Sequence, residues 1–239
     1  MSYKKWVLAM TALFLASSSW ADEADIRKAI QTAYPKLTVQ KITKTPYAGL
    51  YEVFLNGQII YTDDKFSFLI VEGRLVDPKT KTDVTRQRME ELTKIDFSTL
   101  PLDQAIKVVK GNGSRKIAVF SDPDCPYCKR LEKNELSKID NVTIYTFLYP
   151  LEQLHPDAGR KARAIWCAPD RSKAWENWIL NGQLADSTEC ETPLDKVANL
   201  GRKLGVNSTP TIFLSNGKRV QGALPADELE KAMAEPAKN

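Results

Sequence analysis

Several classes of protein are excluded by what this sequence has little of. Eleven glycines and 13 prolines in 239 residues are too few for a collagen-like or low-complexity chain, and four cysteines are too few for a small domain packed with disulfides. Hydrophobic residues make up 43% and charged residues 27%, which is the balance of an ordinary globular protein. The composition therefore predicts one or two folded domains, each able to bury a core.

Neither charge nor hydrophobicity indicates a nucleic-acid or membrane protein. Lys and Arg number 34 against 30 Asp and Glu, and the net charge of +4 is too small to predict nucleic-acid binding. The longest apolar run covers residues 6–16, and no other stretch approaches the roughly 20 apolar residues that a membrane helix needs. We therefore expect a soluble mature protein without a nucleic-acid partner.

Residues 1–21 have the pattern of an export signal peptide. Lys4 and Lys5 give a positive start, residues 6–16 form an apolar segment, and residues 19–21 provide a cleavage site with small residues at both ends. An uncleaved N-terminal anchor is the alternative, although this apolar segment is short for a membrane span. Export places the four cysteines where disulfide bonds persist.

From residue 22 to about 78 the sequence predicts a small α+β module. Helical spacing comes first and alternating strand patterns follow it, with Asn56-Gly57 as a strong hairpin signal. The predicted segments are a helix at 26–33, strands at 37–42, 50–55 and 58–61, and a second hairpin formed by 66–71 and 74–76. No catalytic cluster falls in this module, so its predicted role is binding or association.

A charged segment marks the boundary between two domains. Residues 82–95 carry charges at nearly every other position beside a thin apolar stripe, which predicts a largely solvated linker helix. A second helix is predicted at 102–110, where Gly111 ends the pattern. The expected organisation is a signal peptide at 1–21, a first domain at 22–78, a linker helix at 79–98 and a catalytic domain at 99–239.

The last part of the chain alternates strand and helix signals, which predicts an α/β layer. Apolar runs at 116–120 and 142–148 flank a helical segment that begins after Cys125, and this order implies a parallel pair of strands with a crossover. Several helical segments at 156–204 form an insertion. The chain is then predicted to close with a strand at 211–214, a turn at 216–217, a strand at 219–221 and a helix at 226–234.

The motif Cys125-Pro126-Tyr127-Cys128 carries the predicted chemistry, because it follows a strand and opens a helix. Unpaired N–H groups at a helix N-terminus stabilise an anion, so the first thiol is expected to ionise readily. We expect Cys125 to be the exposed nucleophile and Cys128 to be the less exposed thiol that resolves a mixed disulfide. The alternatives are an inert disulfide and a zinc half-site, and zinc lacks a second close pair of ligands.

Two acidic residues flank the motif and leave its electrostatics open. Asp122 and Asp124 disfavour a thiolate if they lie close to it, while Asp124 is also a candidate helix cap. The only histidine, His155, is interpreted as a loop residue near a helix start. No cysteine–histidine pair is therefore predicted.

The remaining conspicuous residues have ordinary structural interpretations. Cys167 and Cys190 are either a second redox couple or a disulfide that closes the insertion, and Thr209-Pro210 stands at a strand entrance, where proline is unremarkable by itself. Tryptophans of the insertion are interpreted as packing residues, and basic residues after the motif as a solvated helix face. These are Trp166, Trp175 and Trp178, and Lys129, Arg130 and Lys133.

Three segments together resemble a known family. They are residues 119–129 around the two cysteines, residues 164–168 with the sequence Ala-Ile-Trp-Cys-Ala, and residues 204–217, which include Thr209-Pro210. On these residues the chain is similar to the bacterial periplasmic disulfide isomerases of the DsbC and DsbG group. Pro-Tyr between the cysteines is similar to DsbG and the other segments to DsbC, so isomerase is the expected activity.

The resemblance implies an architecture, partners and site residues. The architecture is a cystatin-like dimerisation domain, a linker helix and a thioredoxin fold with a helical insertion, assembled as a homodimer in the periplasm. The implied partners are misfolded or misoxidised exported proteins and a membrane reductase of the DsbD type, and no cofactor or metal is implied. The implied site residues are the attacking Cys125, the resolving Cys128, the substrate-binding Tyr127, Thr209 and Pro210, and the structural disulfide pair Cys167 and Cys190.

Other functions remain compatible with the same motif. One is a DsbG-like reductase of single cysteines oxidised to sulfenic acid. Another is a chaperone or binding module in which the two cysteines are incidental, and a metal carrier is a third. Activity on a sulfenylated one-cysteine protein discriminates the first, and aggregation suppression by a chain without Cys125 and Cys128 discriminates the second.

Overall fold

The computed structural model describes residues 18–186 and 189–236. Most of the predicted signal peptide, residues 1–17, lies outside the described residues. Within them, no helix combines the length and the apolar character needed to cross a membrane. The chain divides between Thr85 and Arg86 into two compact units.

The first unit is a helix followed by a three-stranded antiparallel sheet in the order β1-β2-β3. Its elements are α1 (Ser18–Ala33), β1 (Val39–Lys44), β2 (Tyr51–Leu55) and β3 (Gln58–Thr62). The predicted first hairpin is confirmed, since Asn56 and Gly57 make its turn with φ of 46° and 78°, in the left-handed region that this turn type uses. Ile26, Ile30 and Val53 are buried together, so the apolar face of α1 covers the sheet.

The second predicted hairpin, at 66–71 and 74–76, is wrong. The segment makes only isolated bridges, such as that between Ile70 and Tyr61 at the edge of β3. Positive φ values at Phe66 (54°) and Glu72 (59°) take the backbone out of the extended conformation at both ends of the apolar run. The alternating pattern is therefore present without the backbone geometry of a strand.

The charged segment forms α2 (Val84–Leu92), inside the predicted 82–95. Thr85, the last residue of the first unit, is the one buried residue of α2, and its hydroxyl lies 2.7 Å from the Tyr61 hydroxyl of the same unit. The division between the two units thus falls within the first turn of α2.

The second unit is a five-stranded sheet in the order β4-β6-β5-β7-β8, with β5 and β6 parallel and the other pairs antiparallel. This confirms the predicted parallel pair and the helical insertion. The strands are β4 (Ile106–Lys110), β5 (Arg115–Ser121), β6 (Val142–Leu148), β7 (Thr211–Leu214) and β8 (Arg219–Gln221). The helices are α3 (Pro126–Arg130), α4 (Ala158–Cys167), α5 (Arg171–Asn181), α6 (Leu194–Lys203) and α7 (Ala226–Ala234). A π-helical turn at Leu131–Glu135 and 3-10 turns at Phe97–Thr99, Leu102–Gln104 and Leu136–Lys138 complete the unit.

The helix predicted at 102–110 is wrong, because most of that segment is β4. Three of its residues, Ile106, Val108 and Val109, are β-branched and favour extended backbone. All five residues of β4 pair with β6, which satisfies the backbone hydrogen bonds on that side of the strand. Strand pairing therefore outweighs the helical spacing that the sequence shows.

The central strand β5 is buried on both faces. Ile117 and Val119 pack into one core cluster, whereas Ala118 and Phe120 pack into another. The Phe120 ring stacks on Phe147 at a centroid distance of 4.9 Å and makes edge contacts with two further rings, Tyr149 at 5.7 Å and Phe213 at 5.8 Å. Such packing holds rigidly the strand end from which the cysteine motif departs.

We predict that Phe120→Ala lowers the free energy of unfolding by about 3–5 kcal/mol, since it leaves a cavity where several rings meet. Urea denaturation of the purified protein measures this change. Val109→Ala, at an exposed position of the same sheet, is the control and is expected to change stability by less than about 0.5 kcal/mol. Equal effects of the two substitutions would contradict the role given to the aromatic cluster.

Candidate active site

The cysteine motif lies at the junction of β5 and α3. Strand β5 ends at Ser121, and Cys125 is the N-cap of α3 with extended backbone (φ −70°, ψ 120°). Pro126 occupies the first turn, where its missing N–H leaves no helical hydrogen bond unmade. The Cys125 N–H donates to the Asp122 carbonyl at 3.2 Å, which closes the turn between strand and helix.

Cys125 is the thiol that ionises first. Its pKa is lowered to about 5, mainly because the Cys128 thiol donates a hydrogen bond to its sulfur. The Thr209 side chain and the backbone N–H groups of Cys128 and Tyr127 add further hydrogen bonds, which together outweigh the effect of burial. A cysteine with this pKa is a thiolate at neutral pH, and the thiolate is the nucleophilic form.

Cys128 behaves in the opposite way. The side chain is fully buried, and this burial strongly raises the pKa of its thiol, as does its hydrogen bond to Cys125. The Asp122 N–H points at its sulfur at 3.4 Å. Cys128 therefore keeps its proton while Cys125 carries the negative charge.

The expectation that Cys125 is exposed is wrong in degree. Only 5% of Cys125 is accessible, because its sulfur lies 3.3 Å from the Thr209 carbonyl oxygen. Tyr127, between the two cysteines, is by contrast 60% exposed. The site therefore presents an aromatic ring to solvent with the reactive sulfur recessed beside it.

The Thr209-Pro210 peptide bond is cis and lies next to the reactive sulfur. Pro210 directly precedes β7, and its carbonyl accepts the Gly222 N–H at 2.8 Å. The loop is thus fixed to the sheet on one side and contacts Cys125 on the other. The structure brings together the five residues to which the family resemblance gives roles in catalysis and substrate binding.

Asp122 is fully buried and joins three segments around the motif. One carboxylate oxygen accepts the Asp124 N–H at 2.7 Å. The other accepts the Leu151 N–H at 2.6 Å and lies 3.0 Å from Nδ1 of His155. The carboxylate therefore holds the loop before Cys125 in place through these hydrogen bonds.

His155 has a more specific position than the sequence indicates. Its hydrogen bond to Asp122 raises the pKa of its imidazole, and the nearby charge of Cys125 acts in the same direction. A local sequence pattern cannot reveal this contact, since it joins residues 33 positions apart. The imidazole adds positive charge to the surroundings of the thiolate when it is protonated.

Asp124 is not the helix cap, which is one of the two roles that the sequence leaves open for it. Both of its carboxylate oxygens bind Nζ of Lys161, at 2.7 and 2.8 Å, and the N-cap position is occupied by Cys125. The ammonium group also lies 4.8 Å from the centre of the Trp178 ring, whose Nε1 donates to the Pro123 carbonyl at 2.7 Å. The helical insertion thus neutralises Asp124 and braces its loop, and sequence reasoning missed Lys161 because the pair is 37 residues apart.

The other singled-out residues lie away from the reactive sulfur or pack beneath it. Cys167 and Cys190 form a disulfide bond between α4 and the loop before α6. Trp166 and Trp175 are buried in the same cluster as the two free cysteines. The basic side chains after the motif, Lys129, Arg130 and Lys133, are exposed. Among the described residues, no three His, Cys, Asp or Glu side chains are grouped as a metal site requires.

Comparison with known proteins agrees with this geometry. A family described as a thioredoxin-like domain matches residues 102–236, and one described as the N-terminal domain of disulfide bond isomerase proteins matches residues 17–86. "Probable thiol:disulfide interchange protein DsbC" of Bordetella pertussis is 50% identical over 192 residues, covering 80% of this chain and 67% of the relative. Thiol:disulfide interchange protein DsbC of Escherichia coli K12 is 28% identical over 239 residues and covers 98% of both chains.

A solved structure gives the same result for part of the chain. The crystal structure of a disulfide interchange protein from Neisseria gonorrhoeae has 45% sequence identity and a TM-score of 0.56, and it covers 59% of this chain and 100% of that one. Fold, cysteine motif and relatives agree, and the chain therefore belongs to the DsbC family of thiol:disulfide interchange enzymes with a thioredoxin-like domain.

Proposed function

We propose that this enzyme rearranges incorrect disulfide bonds in exported proteins, with Cys125 as the attacking and Cys128 as the resolving thiol. The observation that carries the proposal is the opposite behaviour of the two thiols: the pKa of Cys125 is lowered to about 5, whereas that of Cys128 is raised. One sulfur is thus ready to attack at neutral pH and the other is held in reserve.

The first step is attack of the Cys125 thiolate on a substrate disulfide. A bond forms between Cys125 and one substrate sulfur, the substrate disulfide breaks, and the second substrate sulfur leaves as a thiolate. The product is a mixed disulfide between enzyme and substrate. Because burial keeps Cys128 protonated, this intermediate persists long enough for another substrate thiol to attack it and form a different pairing.

Two outcomes follow from the same intermediate. If a substrate thiol attacks, the substrate is isomerised and Cys125 is released as a thiolate. If Cys128 attacks, the substrate is reduced and the enzyme is left with a Cys125–Cys128 disulfide. A donor must then supply two electrons to regenerate the enzyme, and a membrane reductase of the DsbD type is the proposed source.

The substrate segment is proposed to lie along the cis-proline loop. The Thr209 carbonyl contacts the Cys125 sulfur in the reduced protein, so a peptide bonded to that sulfur passes beside the same loop. Pro210 has no backbone N–H, so it cannot itself donate a hydrogen bond to a substrate carbonyl group. The exposed ring of Tyr127 offers an apolar contact for the side chains next to the substrate cysteine.

The low pKa of Cys125 also favours the reduced form of the enzyme. A thiol whose pKa is lower in the folded than in the unfolded chain stabilises the folded, reduced protein. This stabilisation is fully present at pH values above the unfolded-state pKa of about 8.5. This contribution declines as the pH falls and is lost below about 5. The oxidised form has no thiolate and gains no such stabilisation. The equilibrium at neutral pH is therefore shifted towards the reduced enzyme.

Export and dimerisation complete the proposal. We infer that residues 1–21 direct the chain to the periplasm and are removed, and that the first unit joins two copies. Unit one exposes neighbouring apolar side chains at Phe68 and Val71, next to the edge of its small sheet. Apolar side chains beside a sheet edge support association with a second copy.

Replacing the attacking thiol is expected to abolish isomerisation. Cys125→Ser should refold a scrambled, multiply bridged protein at the uncatalysed rate, since serine forms no mixed disulfide. Cys128→Ser is the matched variant, and it should retain part of the activity while accumulating substrate bound through Cys125. Recovery of native substrate over time, with mixed disulfides trapped by acid and seen on non-reducing gels, measures both. If Cys125→Ser refolded the scrambled substrate at the wild-type rate, the proposal would be contradicted.

The pH dependence of alkylation tests the thiolate directly. The rate of Cys125 modification by iodoacetamide should rise with a midpoint near pH 5, far below the value of about 8.5 of a free cysteine. Cys128→Ala removes the largest stabilising hydrogen bond and should move the midpoint to higher pH. Cys128→Ser keeps a hydroxyl donor and should move it less. Identical curves for the alanine and serine variants would contradict the assigned hydrogen bond.

The dimer interface is tested with two charge substitutions at similarly exposed valines. Val71 in the first unit is 58% exposed and Val109 in the second is 54% exposed. Val71→Lys should shift the mass in solution from dimer towards monomer, because it places a charge on an apolar contact, while Val109→Lys should leave the mass unchanged. Light scattering across a dilution series measures this. If both Val71→Lys and a chain lacking residues 22–78 remain dimeric, dimerisation through the first unit is excluded.

A further inference from the structure

Ser121 holds a hydroxyl that the fold itself does not use. It is the last residue of β5 and is almost fully buried. Its Oγ has no hydrogen-bond partner among the described protein atoms. A buried polar group without a partner destabilises a fold by about 1–3 kcal/mol, so its presence calls for an explanation.

The position of Ser121 supplies that explanation. The next residue, Asp122, directs its backbone N–H at the sulfur of Cys128 at 3.4 Å. The Ser121 hydroxyl lies near the same sulfur without completing a hydrogen bond to the neutral thiol, and its influence lowers the pKa of Cys128 against the larger opposing effect of burial. A backbone N–H and an unused hydroxyl from consecutive residues thus lie beside one sulfur.

Such donors matter at one stage of the reaction. In the resting enzyme Cys128 is a neutral thiol that donates its proton towards the Cys125 thiolate. In the mixed disulfide Cys125 no longer carries a charge, and Cys128 must become an anion within a fully buried site. An anion in such a place requires hydrogen-bond donors aimed at it.

We propose that the Ser121 hydroxyl donates a hydrogen bond to the Cys128 thiolate as Cys128 attacks the mixed disulfide, and thereby determines how fast the enzyme releases its substrate by reduction. The proposal rests on the assigned roles of Cys125 and Cys128. The hydroxyl is the donor that lacks a partner until this anion forms. Ser121 keeps its own proton throughout the step.

The step balances without a further reactant. A bond forms between the sulfurs of Cys128 and Cys125, and the bond between Cys125 and the substrate sulfur breaks. The electron pair of that bond leaves with the substrate sulfur, and the proton given up by Cys128 ends on the substrate thiol. The cysteine pair is oxidised by two electrons, and the substrate is reduced by two.

The Ser121 hydroxyl consequently biases the choice between the two outcomes of the mixed disulfide. A faster Cys128 favours reduction and release, whereas a slower Cys128 gives substrate thiols more time to attack and isomerise. Loss of the hydroxyl should lengthen the life of the intermediate without altering its formation.

A two-phase reaction with an aromatic disulfide separates formation from resolution. Reduced full-length enzyme is mixed with equimolar dithiobisnitrobenzoate, whose thiolate product is coloured. Attack by Cys125 releases one coloured thiolate, and attack by Cys128 on the mixed disulfide releases the second. Stopped-flow absorbance follows both phases, and Cys128→Ser identifies the first because it cannot produce the second.

Ser121→Val and Ser121→Thr form the decisive pair, since the two side chains have nearly the same shape and only threonine keeps the hydroxyl. We expect Ser121→Val to slow the second phase roughly ten- to a hundredfold, the effect of one hydrogen bond to a charged group, while the first phase is unchanged. Ser121→Thr should restore most of the rate. Thr146→Val removes another buried hydroxyl without a partner from the same sheet and should leave both phases unchanged.

The outcomes distinguish this inference from the proposed function. Absence of the first phase in wild type would overturn the role of Cys125 and the inference with it. A normal first phase with equal second-phase rates for Ser121→Val and Ser121→Thr would overturn the inference alone. Equal slowing by Thr146→Val would assign the effect to packing and overturn it as well. Should Ser121→Val fail to fold, Ser121→Ala replaces it in the comparison with Ser121→Thr.

Discussion

The hydrogen bond from the Cys128 thiol to the Cys125 sulfur is the interaction on which this active site depends. It is the largest cause of the low pKa of Cys125, and it simultaneously helps to keep the proton on Cys128. One contact therefore creates both a nucleophile and a reserve thiol from two chemically identical side chains. It forms because an N-cap residue and a residue in the first turn of the same helix lie close together.

The rest of the second unit serves to hold that pair in place. Packing on both faces fixes β5, and the buried carboxylate of Asp122 ties the following loop to Leu151 and His155. Lys161 neutralises Asp124 from the helical insertion. The two acids that flank the motif are thereby given partners of their own, which explains how a stable thiolate coexists with them.

Features governed by local periodicity could be predicted from the sequence, whereas those set by distant contacts could not. The strand–motif–helix junction and the parallel pair of β5 and β6 follow from apolar runs and spacing. The recessed position of Cys125 depends on Thr209, 84 residues away, and no local pattern reports it. The sequence predicts a helix for the segment that forms β4, because the partner strand β6 that makes it extended lies elsewhere in the chain.

The dependence of the reduction potential on pH tests the central claim most directly. Equilibration of the Cys125–Cys128 pair with glutathione at a series of pH values gives this potential. If Cys125 is a thiolate and Cys128 a thiol, reduction takes up one proton per two electrons, and the potential should fall by about 30 mV per pH unit between pH about 6 and 8. A fall of about 59 mV per pH unit over that range would mean that both thiols are protonated and would contradict the account.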